Sequence, residues 1–331
     1  SGVFAVITSL FGNAFLARID RKSVVLLYTA VLVASSLAVA LAPNFPVFLV
    51  GRSLVGVSIG GFWSLSTAIL ARLASDRDLP KAIALLQGGT AFALVLAAPL
   101  GSFLGGLIGW RGTFFITVPI GIAALVWQLV VLPRMPATST ASVARIFGLL
   151  RNRTFAIGMA ATGLAFIGQN ALSIYLRPFL EGVTGLELNV LSMVLLGLGV
   201  GGLAGTSVIG FIPRRHLLLV LVGLPAALAF LALLLIALGP FAAVTASLLV
   251  MWGFFSTPLP VAWNTWMAAI VPGELEAAGG LQVALIQLAI AGGAFAGGML
   301  FDTAGWWSTF LLAACLLAGS AVLAALASRL S

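Results

Sequence analysis

Charge is what this 331-residue chain has least of. Only 7% of its residues are charged and only eight are acidic, whereas about 25% of the residues in a soluble domain are charged. The shortage excludes a soluble globular protein. The single cysteine, Cys315, excludes an intrachain disulfide. With one histidine, His216, the chain also offers no metal-ligand cluster and no nucleophile–base pair, so we expect no metal, no cofactor and no enzymatic activity.

Long basic runs and nucleotide-binding motifs are also missing. The net charge of +8 comes from scattered Lys and Arg residues, which lie at the ends of apolar stretches, so we expect no nucleic-acid partner. No phosphate-binding loop of the ATPase type occurs in the sequence. Any energy-dependent process must therefore use an ion gradient instead of nucleotide hydrolysis.

Apolar residues are abundant and occur in long runs. They make up 62% of the chain, with a mean hydropathy of +1.22. A transmembrane helix needs about 20 such residues, and the runs lack the alternation of a transmembrane barrel. The sequence therefore predicts an all-α membrane protein, embedded in the lipid bilayer, with about eleven spans: 1–17, 23–42, 46–71, 82–108, 113–132, 154–180, 187–212, 217–238, 241–270, 278–300 and 307–327.

The basic residues predict the orientation of these spans. Of the 16 Lys and Arg residues, thirteen lie in alternate connections and the C-terminal tail, and the opposite connections hold only Arg111. By the positive-inside rule, the C-terminus is cytoplasmic and Ser1 begins on the outer side of a bacterial inner membrane. A protein with both termini in the cytoplasm would need one further helix before Ser1, which gives twelve.

The longest connection divides the predicted spans into two groups. Residues 133–153 are rich in Pro, Ser and Thr and then become basic and amphipathic, which is typical of a surface tether. We predict an N-terminal half at 1–132, a cytoplasmic linker at 133–153 and a C-terminal half at 154–331. Six plus six helices is the arrangement of transporters built from repeated halves, and we expect a monomer.

Three motifs in the first half resemble signatures of the major facilitator superfamily. "NAFLARIDRKSVVL" (13–26) resembles its cytoplasmic loop motif, with Arg18, Asp20, Arg21 and Lys22 at matching places, although Asn13 and Ala17 depart from the pattern. "RSLVG" (52–56) is similar to the fourth-helix motif. "AAPLGSFLGGLIGWR" (97–111) resembles the fifth-helix motif of proton antiporters, in which Pro99 and Gly101 would serve gating.

A narrower resemblance extends over nearly the whole chain. "GGFWSLS", "YLRPF" and "GGLQVALIQLA" are similar to segments of bacterial purine ribonucleoside efflux pumps, in the drug:proton antiporter branch. The resemblance implies a two-half superfamily fold and proton-coupled export of a small polar molecule by alternating access. Sugar or multidrug export is the alternative within this class. A non-transporting membrane receptor or assembly protein is the alternative outside it.

Arg52 is the charge that lies deepest in a predicted span. On a helix it shares a face about 80° wide with Gly56, Trp63 and Thr67. An arginine at the membrane centre costs about 3 kcal/mol or more unless it faces a cavity or a partner. It therefore either lines a substrate cavity or extends to the interface. The resemblance assigns it to proton coupling, and because all eight acids lie at span ends or in loops, the proton-carrying acid is expected on the additional helix.

Polar side chains on three later spans are candidate cavity residues. Gln169, Ser173 and Arg177 follow at intervals of four, with Asn170 adjacent. They either hydrogen-bond between helices or contact the substrate. Amides and aromatic faces are the groups that bind a purine nucleoside, and further residues of these types are Trp63, Trp263, Asn264 and Gln287.

The ninth predicted span contains two prolines. Pro258 and Pro260 remove backbone donors within "STPLPVAWNTW", which predicts a bend and a flexible gate. Trp263 and Trp266 follow towards the cytoplasmic end, where tryptophan commonly anchors a helix at the membrane interface.

Overall fold

The computed structural model describes residues 1–75, 77–137, 143–212 and 214–328, and for a few of these, among them Asn13, Pro99 and Arg214, it describes the backbone only. Within those ranges the secondary structure is helical, without a strand. The α-helices are α1 (Gly2–Ile7), α2 (Asn13–Phe15), α3 (Arg21–Ala40), α4 (Phe45–Leu73), α5 (Leu79–Val131), α6 (Val143–Gly148), α7 (Arg153–Ile174), α8 (Leu176–Gly182), α9 (Leu188–Ile209), α10 (Leu217–Leu238), α11 (Ala242–Ser256), α12 (Leu259–Ile270), α13 (Leu275–Ala304) and α14 (Trp306–Ser328).

Ten of the eleven predicted spans correspond to helical segments long and apolar enough to cross a membrane. Within the described residues these are Arg21–Ala40, Phe45–Leu73, Leu79–Ala97, Phe103–Val131, Arg153–Gly182, Val190–Ile209, Leu217–Leu238, Ala242–Ile270, Pro272–Ala304 and Trp306–Ala327. The first predicted span corresponds to a shorter apolar helix, Gly2–Gly12, whose second part, Thr8–Gly12, is a π-helix. The all-α membrane fold is confirmed.

Apolar side chains cover the outside of the Phe103–Val131 segment. Only 6% of its most apolar window is buried, and Trp127 and Val130 are 71% and 77% exposed. A continuous apolar surface of this length is stable only where lipid chains cover it. This segment therefore lies against the bilayer.

Glycines allow α4 to approach α1 closely. A Cβ added at Gly56 would lie 2.1 Å from the carbonyl oxygen of Ser1, and one at Gly60 would lie 2.3 Å from that of Ala5. Only a residue without a side chain fits at either place. Gly56 and Gly60 therefore permit a close contact between the two helices.

Helix breaks occur at the predicted weak points. Gly109 interrupts α5 with φ 72° and ψ 168°, a left-handed φ that glycine adopts at little cost, within the predicted boundary between the spans 82–108 and 113–132. The predicted bend at the prolines is also present, because α11 ends at Ser256 and α12 begins at Leu259.

The chain forms two compact units. The first comprises Ser1–Leu73, Leu96–Leu149 and Val271–Gln287, and the second comprises Ala74–Val95, Leu150–Ile270 and Leu288–Ser331. The first unit thus includes the beginning of α13, and the second includes the beginning of α5. The division into halves at 1–132 and 154–331 follows chain order and stays a prediction.

Candidate functional site

A buried charge cluster joins α3 to the start of α13 in the first unit. The guanidinium of Arg21, which is 0% exposed, donates from Nε to Glu276 Oε1 at 2.9 Å and from Nη2 to Oε2 at 2.5 Å. Arg72, at the end of α4, donates from Nη2 to the same Oε1 at 3.0 Å. The carboxylate of Glu276 therefore binds two guanidiniums. Its pairing with Arg21 is bidentate, which is the strongest geometry for an arginine–carboxylate pair.

The local sequence places Arg21 at the first position of α3. Asp20 caps the helix, because its Oδ1 accepts from the backbone N–H of Lys22 at 2.9 Å. Its Oδ2 accepts from the N–H of Met135 at 2.9 Å, and the N–H of Arg21 donates to the Met135 carbonyl at 2.9 Å. Nη1 of Arg21 donates to the carbonyl of Leu16 at 3.0 Å. Hydrogen bonds to backbone groups of the loop before α3, of α3 itself and of Met135 therefore hold Asp20 and Arg21 in place. Arg18, by contrast, is exposed.

Glu276 was not identified from the sequence. It belongs to the eight acids that were placed in loops or at span ends, but it is only 8% exposed. Its partner Arg21 lies 255 residues away along the chain, a separation that no local pattern reveals. The sequence gives one indirect signal. If Arg21 of the loop motif is buried, its charge requires an acidic partner from another part of the chain.

A cavity of about 320 Å³ adjoins this cluster. Arg72 and Glu276 line it together with Ala68, at the side of α4, and with Arg145 and Glu274. Arg145, on the short linker helix α6, places Nε 3.7 Å from Glu274 Oε1. Glu274, just before α13, and Glu276, in its first turn, thus bind arginines from three other segments.

The predicted cavity residues divide between the two compact units. The first holds Arg52, Trp63, Thr67 and Gln287, and the second holds Gln169, Asn170, Ser173, Arg177 and Asn264. The assignment of these residues to a cavity wall stays a prediction.

In the first unit, Arg52 lies half-buried on α4. Among the described residues it forms no hydrogen bond or ion pair, so its predicted role in proton coupling stays a prediction. Trp63 is half-buried and contacts Phe62 edge-on at 5.8 Å, and Thr67 is 3% exposed. Gln287 is half-buried on α13.

In the second unit, the predicted polar stripe is interrupted. α7 ends at Ile174, and Tyr175 separates it from α8, so that Arg177 does not continue the face of Gln169. Arg177 is exposed and its Nε donates to Glu181 Oε1 at 2.7 Å, and Ser173 is exposed as well. The stripe was inferred from one straight helix, and the role of its residues in a substrate cavity stays a prediction.

Some buried polar atoms have no partner within the described structure. They are the hydroxyls of Tyr28 and Thr265, Oε1 of Gln169, Nε1 of Trp263 and Nε2 of Gln282. Asn170 differs, because its Nδ2 donates to the Phe166 carbonyl at 2.8 Å. An unsatisfied buried polar atom costs about 1–3 kcal/mol, so each one requires an explanation such as a ligand or an alternative conformation.

Trp263 is a buried residue and not an interface anchor. It is 1% exposed and packs edge-on against Trp266 at 5.5 Å, and Trp266 stacks on Phe155 at 6.1 Å. A Cβ at Gly158 would lie 2.0 Å from the Trp266 ring, so this glycine makes room for the aromatic cluster. The interface-anchor interpretation of Trp263 is wrong, and its indole is a candidate ligand contact.

The remaining predicted gating positions are only partly described. Pro258 is buried and Pro260 half-buried at the break between α11 and α12. A Cβ at Gly101 would contact nothing within 4 Å. The side chain of Pro99 lies outside the described residues. The break supports the predicted bend, and the gating role of all four residues stays a prediction.

Comparisons with known proteins agree with this architecture. The chain matches the family described as Major Facilitator Superfamily over residues 1–281. It is 45% identical over 333 residues to the transcription regulatory protein OpdE of Pseudomonas aeruginosa, covering 99% of this chain and 83% of that protein. It is 37% identical over 327 residues to the purine ribonucleoside efflux pump NepI of Salmonella enteritidis, covering 99% and 82%.

Two solved structures share the fold. The human organic anion transporter MFSD10 (TETRAN) superposes with a TM-score of 0.86 at 19% sequence identity, covering 98% of this chain and 82% of the other. The proton:xylose symporter XylE, bound to 6-bromo-6-deoxy-D-glucose, gives a TM-score of 0.74 at 16% identity, covering 97% and 83%. At such identities the similarity establishes the fold alone.

Proposed function

We propose that this chain, which belongs to the major facilitator superfamily, exports purine ribonucleosides across the bacterial inner membrane in exchange for protons. The observation that carries the proposal is the pair of buried polar atoms without a partner in the second unit, Oε1 of Gln169 and Nε1 of Trp263. A relative with 37% identity over almost the whole chain is named a purine ribonucleoside efflux pump, and it supplies the substrate class.

The polar atoms match the chemistry of a nucleoside. A purine edge and a ribose offer both donors and acceptors. Within the second unit, the Gln169 oxygen would accept a hydrogen bond and the Trp263 indole would donate one. Buried donors and acceptors discriminate strongly against a ligand that cannot pair with them. A purely apolar drug is therefore a poorer substrate than a nucleoside.

The charge cluster supplies an element that differs between transport states. Arg21 and Glu276 hold the start of α3 to the start of α13, and both positions are at the predicted cytoplasmic end. Alternating access requires contacts at one end to form while those at the other end open. We expect the Arg21–Glu276 pair to be intact when the cytoplasmic end is closed and broken when nucleoside enters from the cytoplasm.

Other exporters of the superfamily remain the alternative within this class. A sugar also requires buried donors and acceptors, but it offers no aromatic plane for stacking on a tryptophan. A lipophilic drug offers a plane but leaves the amides unpaired. Competition among these three substrate classes separates the possibilities.

A regulatory function is the second candidate. The observation that favours it is the 45% identity to a protein named as a transcription regulatory protein. A membrane sensor built on this fold would bind its ligand without moving it across the membrane. Binding of a nucleoside together with no measurable flux would support that function over export.

Transport in everted membrane vesicles tests the proposal. Radiolabelled inosine should accumulate inside the vesicles when their interior is made acidic, because the interior corresponds to the outer side of the cell membrane. An ionophore that dissipates the pH gradient should abolish the accumulation. Unlabelled guanosine should compete, whereas xylose and a lipophilic cation should not. Accumulation of the cation with no effect of nucleosides would contradict the substrate class.

A further inference from the structure

An aromatic cavity lies at the end of α3 opposite to Arg21. It measures about 630 Å³ and is lined by Pro43, Phe45, Phe48, Trp110, Arg111 and Phe114. α3 has 20 residues and is therefore about 30 Å long, which is the thickness of the hydrocarbon core. The cavity and the Arg21 cluster thus lie at opposite membrane interfaces, where lipid headgroups are found.

The aromatic wall is built by the break in α5. Gly109, with φ 72°, precedes Trp110, whose ring contacts Phe48 edge-on at 6.0 Å and Phe114 edge-on at 6.4 Å. Phe48 also stacks with Phe45 at 6.3 Å. Aromatic side chains with one face on protein and one towards the interface are typical of membrane boundaries. The wall thus presents apolar surface at the level of the first acyl carbons.

Arg111 is held rigidly at the edge of this wall. Its guanidinium lies 4.4 Å from the centre of the Trp110 ring, a cation–π distance, and Nη2 donates to the Ala42 carbonyl at 3.1 Å. A guanidinium has five N–H donors, and Arg111 is exposed. The remaining donors are oriented and accessible to an anion.

No acid in this part of the chain neutralises Arg111. The sequence has no Asp or Glu between Asp78 and Glu181, and none between Asp20 and Asp76, so that α3, α4 and the second part of α5 contribute no carboxylate. The ion pairs found among the described residues do not involve Arg111. A fixed positive charge beside an apolar cavity calls for a ligand that combines an anion with an apolar chain.

We propose that this cavity binds one phospholipid, with its phosphodiester on Arg111 and an acyl chain along Phe45, Phe48 and Phe114. The phosphate oxygens match the planar donors of a guanidinium, and the aromatic rings replace the contacts of neighbouring lipid chains. The site is separate from the Arg21 cluster, which lies at the other end of α3. It fastens the connection between α3 and α4 to the break in α5.

Photolabelling in lipid nanodiscs tests the site. The probe is a phosphatidylglycerol with a diazirine near the top of one acyl chain, and labelled peptides are identified by mass spectrometry. We expect labelling within residues 42–48 and 110–114 to fall about tenfold in Arg111→Gln, since a hydrogen bond to a charged group is lost, and to be largely retained in Arg111→Lys. Labelling within 120–131, a lipid-facing segment, should be unchanged and reports that the protein is folded.

Competition separates a phospholipid from its parts. Unlabelled phosphatidylglycerol should displace the probe, whereas inorganic phosphate should not, and a diacylglycerol probe without phosphate should label the site about tenfold less. Equal labelling by the diacylglycerol probe, or no effect of Arg111→Gln, would show acyl-chain contact without headgroup recognition and overturn the proposal. Displacement by inorganic phosphate alone would also overturn it, in favour of a simple anion site.

Discussion

Arg21 and Glu276 form a bidentate ion pair between residues that are 255 positions apart in the chain. Arg21 is fully buried, so its charge is removed from water and depends on this carboxylate. A buried pair contributes little net stability compared with apolar residues, but loss of one partner leaves a buried charge without compensation. The pair therefore determines which segments can pack at this end of the molecule.

Glu276→Gln is expected to destabilise the protein strongly. Loss of the carboxylate leaves Arg21 buried with an uncompensated charge, which costs about 3–5 kcal/mol. The midpoint of thermal unfolding in detergent, followed by tryptophan fluorescence, measures the effect. The double variant Arg21→Met with Glu276→Leu should be less destabilised than the single one, because neither charge then remains.

An exposed pair on the same chain provides the control for this prediction. Lys81 and Asp78 form an ion pair at 3.2 Å with side chains that are 54% and 56% exposed. Exposed pairs contribute little, so Lys81→Gln should leave the unfolding midpoint nearly unchanged. If Glu276→Gln lowers the unfolding midpoint no more than Lys81→Gln does, loss of the buried carboxylate does not leave Arg21 with a costly uncompensated charge.

Most of the fold followed from the sequence because a membrane restricts the choices. An apolar run of about 20 residues in lipid must satisfy its backbone internally, and a helix does so. The predicted spans and helices therefore agree, and breakers such as Gly109 and Pro258 fall at the observed interruptions. The break at Tyr175 was missed although Pro178 marks it, because a proline ring clashes with the carbonyl four residues earlier, here that of Ile174, where α7 ends.

The candidate site was less predictable than the fold. The loop motif identifies Arg21 as a candidate functional residue from the sequence alone. Glu276 becomes a candidate only because the fold packs the start of α13 beside α3. Residue type left Trp263 open to interface anchoring or to ligand contact, and its burial depends on the aromatic cluster with Trp266 and Phe155. Pairings between distant segments and the depth of a side chain are properties of tertiary packing, which helical periodicity does not determine.

Gly60→Ala is expected to disrupt the contact between α4 and α1. The added Cβ would lie 2.3 Å from the carbonyl oxygen of Ala5, so the helices must separate, at a cost of about 1–3 kcal/mol. Gly106→Ala is the matched control, since nothing lies within 4 Å of its Cβ, and it should be neutral or stabilising by up to about 1 kcal/mol. Equal unfolding midpoints for the two variants would contradict the close approach.

A reporter fused after Ser331 should be found in the cytoplasm. The distribution of Lys and Arg between the two sets of connections predicts this orientation. Paired fusions with alkaline phosphatase, active only outside, and green fluorescent protein, fluorescent only inside, give opposite signals and control for expression. A phosphatase-active fusion would reverse the orientation and place Arg111 on the cytoplasmic side.

Arg52→Ala should reduce nucleoside export driven by a pH gradient to background while normal amounts of protein reach the membrane. An arginine that faces a cavity and responds to protonation of a partner is needed for coupling, whereas an arginine that extends to the interface is not. Arg52→Lys should restore part of the activity, because the charge is kept. Unchanged transport in Arg52→Ala would assign Arg52 to the interface.

Gln169→Met should weaken nucleoside binding without weakening the fold. Met is similar in volume to Gln but has no amide, so the change removes a buried oxygen that has no hydrogen-bond partner in the described structure. If Gln169 served packing alone, the substitution would lower the stability of the protein or leave it unchanged, and the KM would not change. If the oxygen instead pairs with the substrate, the KM for inosine should rise about 5- to 150-fold, as expected for about 1–3 kcal/mol, and the unfolding midpoint should stay the same or increase.

The control for Gln169→Met lies on the same helix. Thr162 is 0% exposed, and its hydroxyl donates to the carbonyl of Gly158 at 2.8 Å, so it has no donor left for a substrate. Thr162→Val should therefore leave the KM unchanged and lower stability by about 0.5–1.5 kcal/mol. Gln169→Met should therefore raise the KM without lowering the unfolding midpoint, whereas Thr162→Val should lower the midpoint without changing the KM. A Gln169→Met protein with normal KM and a lowered midpoint would show that the amide is a structural contact and not part of the nucleoside site.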